Sequence, residues 1–219
     1  MIFSRCRAAR LALVFAAALA PLPACQRPRD VTQEVYRVEG TALTLPRVGD
    51  WIPDPSVPPA NPAQGGLMMR LVQKNSVPGS PRIEVRLEPP TAVPTVLDAY
   101  LTRNLRDMGA LETSGEIRIL HVDQQHITVG HVPAWRVHHD FTTGSGASQV
   151  SLYQVSTFLV FEGRGITLSA AGRTELFHPL ASSIAQVLDG ASLDATRIKA
   201  RKGSSGTTID LGTVGGPRT

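Results

Sequence analysis

Histidine is the residue type in this sequence with the clearest potential for chemistry. His121, His126 and His131 recur at intervals of five residues, and His138 and His139 follow. An odd interval in a β-strand places successive side chains on opposite faces, so the first three cannot converge from one strand. A turn between them could still bring two together. Because no Cys or carboxylate stands at a zinc-like interval and no His-Glu-x-x-His occurs, we predict no metal and no cofactor.

The segment AWRVHHDF, residues 134–141, contains a second candidate site. Alternation along a strand places Arg136, His138 and Asp140 on one face. Such a polar ladder could hold an anion, shuttle a proton or contact a partner. The favoured interpretation is a solvated sheet face with cross-strand charge pairs, with His139 on the other face as a histidine at the edge of the core.

Trp51 is the third candidate for contact with a ligand or partner. It precedes a segment with five prolines from Pro53 to Pro62, which cannot run through a sheet interior and predicts a surface loop. The indole could stack on a ligand or peptide. The favoured alternative is a core tryptophan that closes the end of the sheet.

Motifs for covalent catalysis are missing from the sequence. It contains no Gly-x-Ser-x-Gly, no Gly-x-Gly-x-x-Gly and no phosphate loop. The carboxylate pairs Asp50/Asp54 and Glu84/Glu88 fall in the Pro-rich loop and on a polar strand face, whereas a glycosidase needs two carboxylates that face a cleft. We therefore predict a protein without catalytic residues.

The N-terminus has the layout of an export signal. Arg5, Arg7 and Arg10 precede an uncharged apolar run over residues 11–20, which Pro21 ends. A membrane-spanning helix needs roughly 20 apolar residues, so this run is too short. A basic start, a short apolar run and a small residue before the cut are typical of a secretory signal.

The signal ends in Leu22-Pro23-Ala24-Cys25, which resembles the lipobox of bacterial lipoproteins. The resemblance implies a diacylglyceryl group on the Cys25 thiol, cleavage after Ala24 and acylation of the new N-terminus. The alternative is a plain signal peptide that leaves Cys25 as a free thiol. By resemblance to enteric lipoproteins, Gln26 after the cysteine implies passage to the outer membrane and favours it over the inner one.

Removal of residues 1–24 changes the charge of the chain. The full sequence carries a net charge of +4, but this segment holds three arginines and no acidic residue, which leaves 19 basic and 18 acidic groups. We therefore expect no nucleic-acid partner. A basic cluster around Arg197 and Arg201 in the tail could touch anionic lipid headgroups, or could simply solubilise the chain.

Two helices and several strands must position the candidate residues. Helical periodicity predicts a helix from Pro94 to a C-terminal Gly109 and another over 178–188 with Pro179 at its start. An earlier start at Thr174 is the alternative for the second helix, although it would place Pro179 inside. Strand patterns occur in GTALTLP and over 67–74, 82–88, 116–122, 125–132, 134–141, 149–161 and 165–171. The expected organisation is a signal peptide over 1–24, a tether over 25–38, one α+β domain over 39–193, and a flexible tail over 194–219.

This order of elements, with the sequences GTALTLPRVGDW, PAWRVHHDF and QVSLYQVSTFLVFEGRGITLSAA, resembles the PsbP/DcrB-type domain. The resemblance covers about residues 38–193. It implies an α-β-α sandwich around a twisted antiparallel sheet with two main helices. That fold occurs in bacterial lipoproteins, in extrinsic photosystem subunits and in a nuclear-transport factor, mostly in binding or adaptor roles.

The sequence favours a lipid-anchored protein of the cell envelope that faces the periplasm. We expect it to bind a protein partner or stabilise an envelope complex, without catalysis. One alternative is a carrier of a small ligand or lipid, with a pocket between sheet and helix covered by the 52–66 loop. A second alternative is an envelope hydrolase, which requires His138 or His139 beside a carboxylate in a cleft.

Overall fold

Ten antiparallel strands organise residues 34–193, the part of the chain that this computed structural model describes. The strands are β1 Val35–Arg37, β2 Leu43–Pro46, β3 Trp51–Pro53, β4 Gly66–Gln73, β5 Arg82–Leu87, β6 Ile117–Val129, β7 Val132–Thr143, β8 Val150–Phe161, β9 Arg164–Arg173 and β10 Ser192–Leu193. A three-stranded sheet has the order β1-β2-β10, and a seven-stranded sheet has the order β3-β4-β5-β9-β8-β7-β6.

Helices cover both faces of the large sheet. They are α1 Leu97–Thr113, α2 Thr174–Phe177 and α3 Ala181–Asp189. The helix α1 packs over one face, where Tyr100 and Leu101 meet Val137 and Phe158. The other face forms the main core with β2 and α3, through residues such as Leu45 and Ile184. The predicted α+β class, with an antiparallel sheet packed against helices, is confirmed.

The helix α1 extends beyond its predicted end at Gly109. It begins at Leu97 and runs to Thr113, and a glycine inside it costs only about 1 kcal/mol relative to alanine. Gly115 ends the helix with a φ of 77°. The backbone N–H groups of Gly115 and Glu116 bond the carbonyls of Glu112 and Leu111, which is the Schellman arrangement.

The second predicted helix has a different form. The chain turns into α2 at Thr174, passes through a 3₁₀ turn over His178–Leu180 and continues as α3. The predicted start at 178 is therefore wrong, and the helical segment begins at the alternative start, Thr174. The 3₁₀ turn contains Pro179, which has no N–H to donate and would clash with the carbonyl four residues earlier in a continuous α-helix.

The predicted strands 116–122 and 125–132 form one strand, β6, of 13 residues. The sequence predicts a break at the intervening Asp123-Gln124, but these two residues pair in register with His138 and Val137 of β7. The actual turn lies at Gly130, with a φ of 60°. Polar residues fit the middle of β6 because nearly all of its side chains are exposed.

The folded domain begins before residue 39. The strand β1 lies inside the predicted 25–38 tether and pairs with β2. Its Tyr36 hydroxyl donates a hydrogen bond of 2.7 Å to the Trp51 carbonyl. The Pro-rich segment also starts differently from the prediction, because Trp51–Pro53 forms β3 at the edge of the large sheet. An edge is the position where a strand tolerates proline.

Candidate functional site

The predicted ladder of Arg136, His138 and Asp140 lies on one face of β7, but that face is covered. The Arg136 side chain is only 12% exposed. Its Nη1 donates to the carboxylate of Asp189, and its Nε bonds the Thr157 hydroxyl at 3.3 Å. The favoured interpretation as a solvated face is therefore wrong, because the Arg136 guanidinium joins the sheet to the end of α3.

His138 is held inside the same arrangement. Its Nδ1 lies 2.9 Å from the Tyr153 hydroxyl. Burial is the main cause that lowers the His138 pKa, and the charge of Arg136 adds to it, whereas Asp123 and Asp140 act in the opposite direction. A neutral His138 therefore bridges to Tyr153.

Trp51 is a core residue. It is 1% exposed, and its indole Nε1 donates to the Ser183 hydroxyl at 3.1 Å. The favoured interpretation as a core tryptophan is therefore confirmed. The alternative contact role is wrong, because no face of the indole is free to stack on a ligand or peptide. Cys25, the predicted lipidation site, and the basic cluster of the tail lie outside the described residues.

A cavity of about 560 Å³ lies between α1 and the sheet face beneath it. We call it the α1 groove. Residues of the 52–66 loop do not line it, so the predicted cover is wrong. Its floor includes several polar side chains, and apolar residues of α1 form one wall: His139, Gln154, Ser156 and Ser169 below, and Leu105, Met108 and Leu111 beside them.

The sequence contains a signal for this groove in the polar residues of β8 and β9. Gln154 and Ser156 alternate with apolar residues of β8, and Ser169 lies opposite Ser156 in the register with β9. Such polar residues on a sheet face usually indicate solvent. Here they lie beneath the side of α1, so the helix covers a polar patch of the sheet, and this patch is part of the floor of the α1 groove.

His139 is the unusual residue of the α1 groove. It is 2% exposed, and its Nδ1 is the buried side-chain polar atom for which residues 34–193 offer no hydrogen-bond partner. Burial lowers the His139 pKa, and the neighbouring His138 adds to the effect. The groove therefore contains a neutral imidazole with one unsatisfied nitrogen, a state that proteins seldom leave without a reason.

We expect the free energy of unfolding to decrease as the pH falls, and we expect protonation of His139 in the unfolded chain to cause part of that decrease. Its folded pKa lies below its unfolded value of about 6.5, so the unfolded chain binds the proton more tightly. The contribution of His139 to the free energy of unfolding is fully present above pH about 6.5 and decreases as the pH falls below that value. Urea denaturation between pH 7.5 and 5 should show a smaller decline in His139→Leu, by at most about 1.4 kcal/mol per pH unit.

The same experiment has a matched control in the α1 groove. Arg82→Gln changes another residue of the groove and leaves the His139 imidazole in place, so its decline should equal that of the wild type. At pH 7, His139→Leu should stay within about 1 kcal/mol of the wild type, because it replaces an unsatisfied polar group by an apolar one. A pH slope in His139→Leu equal to the wild-type slope would contradict the assignment.

The strand β6 is the second feature with functional potential. It forms one edge of the large sheet and, within residues 34–193, pairs only with β7. Its His121 and His126 lie opposite Asp140 and Trp135, hence on opposite faces, as the odd spacing predicts. Apolar side chains are exposed along it, with Leu120 at 56% and Val122 at 38%.

The described part of the chain contains neither a metal site nor a membrane-spanning helix. No group of three or more His, Cys, Asp or Glu side chains among residues 34–193 is arranged to hold a metal ion. Over the same residues, no helix has the length and apolarity of a membrane span.

Comparison with known proteins identifies the fold. No protein-family model and no curated protein matches the chain. The solution structure of cyanobacterial PsbP (CyanoP) from Synechocystis sp. PCC 6803 matches with a TM-score of 0.51 and 11% identity, over 80% of this chain and 99% of that one. The crystal structure of LpqN, involved in cell envelope biogenesis of Mycobacterium tuberculosis, matches with a TM-score of 0.45 and 14% identity, over 75% and 87%. The likeness to CyanoP gives this chain a PsbP-like α+β fold.

Proposed function

We propose that this protein is a lipid-anchored protein of the bacterial cell envelope that binds an extended segment of a protein partner, without catalysis. The observation that carries the proposal is the edge strand β6. It forms 13 residues of the sheet edge, of which the Ile119 N–H is already bonded to the Glu112 carboxylate, whereas the other edge, β3, has three residues.

An edge strand offers a row of backbone N–H and C=O groups to another strand. Proteins usually protect such edges by keeping them short or by covering them. The edge at β6 is long, and it exposes Leu120 and Val122 beside the charged Arg118 and Asp123. Strand addition uses such an edge, with backbone hydrogen bonds for affinity and alternate side chains for specificity.

The lipid anchor is the part of this proposal that rests on the sequence. Lipidation of Cys25 would hold the domain at the membrane surface facing the periplasm, with the outer membrane favoured by Gln26. The strand β1 starts at Val35, so only about ten residues separate the domain from Cys25. The β6 edge would then meet partners that are themselves close to the membrane.

The partner should be lost when β6 is blocked and kept when β3 is. Val122→Lys and Ile52→Lys form a matched pair, because both side chains are 38% exposed on edge strands. The full chain is purified by affinity from detergent-solubilised envelope, and co-purifying proteins are quantified by mass spectrometry. Val122→Lys should reduce the partner at least about tenfold, and Ile52→Lys should not. Cross-links from the partner should fall on β6.

Two proline variants test the backbone directly. Neighbouring residues of an antiparallel strand point their N–H groups to opposite sides. One of Gln124→Pro and Gln125→Pro therefore removes a bond to β7, and the other removes only an outward donor. The variant that keeps the wild-type melting temperature should lose the partner. Retention of the partner by Val122→Lys and by both proline variants would refute strand addition. A wild-type dimer that Val122→Lys dissociates would assign the edge to a second copy instead.

A further inference from the structure

We propose that the α1 groove binds a small amphiphilic anion, with its anionic head at Arg82 and its apolar tail along α1. This inference is independent of partner binding at β6. It starts from a cavity of about 560 Å³, which lies in the range of about 300–1,000 Å³ that small-molecule pockets occupy.

Among residues 34–193, the charged side chains around the α1 groove leave one guanidinium without an acidic partner. Glu84 accepts hydrogen bonds from Arg70 at 2.8 Å and from Arg86 at 2.9 Å, so both of its oxygens are engaged. Arg173 faces Glu175 at 3.7 Å. By contrast, the Arg82 guanidinium, on a strand paired with β4 and β9, has no hydrogen bond or ion pair with any residue from 34 to 193.

The position of Arg82 directs this free guanidinium to the groove. Arg82 lies opposite Ala171 in the pairing of β5 with β9, and Arg173 follows two residues later on the same face. All three line the α1 groove. On the α1 side of the groove, Asp107 contributes one negative charge. Arg82 and Arg173 lie together at one end of the floor, so that end is positively charged. A guanidinium binds a carboxylate or phosphate through two parallel hydrogen bonds.

The floor contributes a donor that the protein leaves unused. A neutral imidazole has one N–H and one acceptor nitrogen, and His139 has no hydrogen-bond partner at its buried Nδ1. By contrast, the Gln154 Nε2 donates a hydrogen bond to the Ser156 hydroxyl at 2.7 Å. A ligand head that accepts a hydrogen bond can use the imidazole N–H in whichever tautomer points it to the groove.

The opposite wall is suited to an apolar tail. Leu105, Met108 and Leu111 follow at intervals of three along α1, so they form one stripe. Leu111 is 37% exposed although it is a large apolar residue. Phe158 continues the apolar surface on the floor. A short acyl or aryl chain would cover this stripe and remove it from water.

The experiment uses three probes with the same eight-carbon tail. The full chain in lipid nanodiscs is titrated calorimetrically with octanoate, octyl phosphate and octyl glucoside, and the heat from empty nanodiscs is subtracted. At least one anion should bind saturably to one site, and neutral octyl glucoside should not. Octanoate alone would assign a carboxylate head, octyl phosphate alone a phosphate head, and both would assign the charge itself.

Matched variants locate the site. Arg82→Gln should weaken binding of the anion about tenfold or more, since it removes a charge-assisted pair. Arg106→Gln changes an exposed arginine of α1 that does not line the groove and should have no effect. His139→Leu and Met108→Glu should each weaken binding at least about threefold through the head and the tail. The absence of a saturable anion site, equal binding of octyl glucoside, or equal effects of Arg82→Gln and Arg106→Gln would overturn the proposal.

Discussion

Replacement of Trp51 by alanine should lower the free energy of unfolding by about 3–5 kcal/mol. The indole is 1% exposed in the main core, and β3 holds it where the small sheet, the large sheet and α3 meet. Its removal leaves a cavity that surrounding residues cannot fill. Urea denaturation of the full chain, followed by far-UV circular dichroism, measures the effect.

Two further variants separate packing from hydrogen bonding at Trp51. Ser183→Ala removes the acceptor of the indole N–H, and Trp51→Phe removes the donor. Each should cost about 1–2 kcal/mol, so most of the loss in Trp51→Ala belongs to packing. If Trp51 were a ligand contact and not a core residue, Trp51→Ala would leave the unfolding free energy unchanged.

Replacement of Glu88 by alanine should lower the free energy of unfolding by about 2–3 kcal/mol. The Glu88 side chain is only 10% exposed and pairs with Arg103 of α1. Its Oε2 also accepts from the Thr95 hydroxyl at 2.6 Å and from the Gly165 backbone N–H at 3.0 Å. Gly165 is buried, so its N–H would lose a charged acceptor without gaining water.

Controls on either side of this network give the expected ranking. Arg103→Gln should cost less than about 1 kcal/mol, because the Arg103 side chain is 42% exposed and its charge is solvated. Glu175→Ala breaks an exposed contact of 3.7 Å and should lie within about 0.5 kcal/mol of the wild type. Thermal and urea unfolding of the three variants under one condition test the order. A loss in Glu88→Ala no larger than in Glu175→Ala would contradict it.

Local pattern predicted the elements wherever the determining interactions are themselves local. The alternation in residues 82–88 placed Ile83 and Val85 on one face of β5, and both are buried. The end of α1 was predicted six residues too early because Gly109 and Gly115 are equally good stop signals in sequence. Only the Schellman hydrogen bonds at Gly115 distinguish them.

The candidate sites were harder to predict, because side-chain polarity does not state what lies above a sheet. The sequence placed Arg136 and His138 on one face of β7, and they are there. It could not show that Asp189 of α3 reaches that face from 53 residues away. For the same reason it left a contact role for Trp51 open beside the favoured core position, although Ser183 of α3 receives its N–H.

The sequence by itself determined the class of the fold and the faces of its strands, since each depends on periodicity within a short segment. The tertiary structure decided which polar faces are covered, which strand is left at the edge and where a cavity remains. Those features depend on the order of strands in the sheet and on where α1 crosses it. Hence His139 and Arg82 of the α1 groove, and the exposed edge at β6, emerge only from contacts between distant parts of the chain.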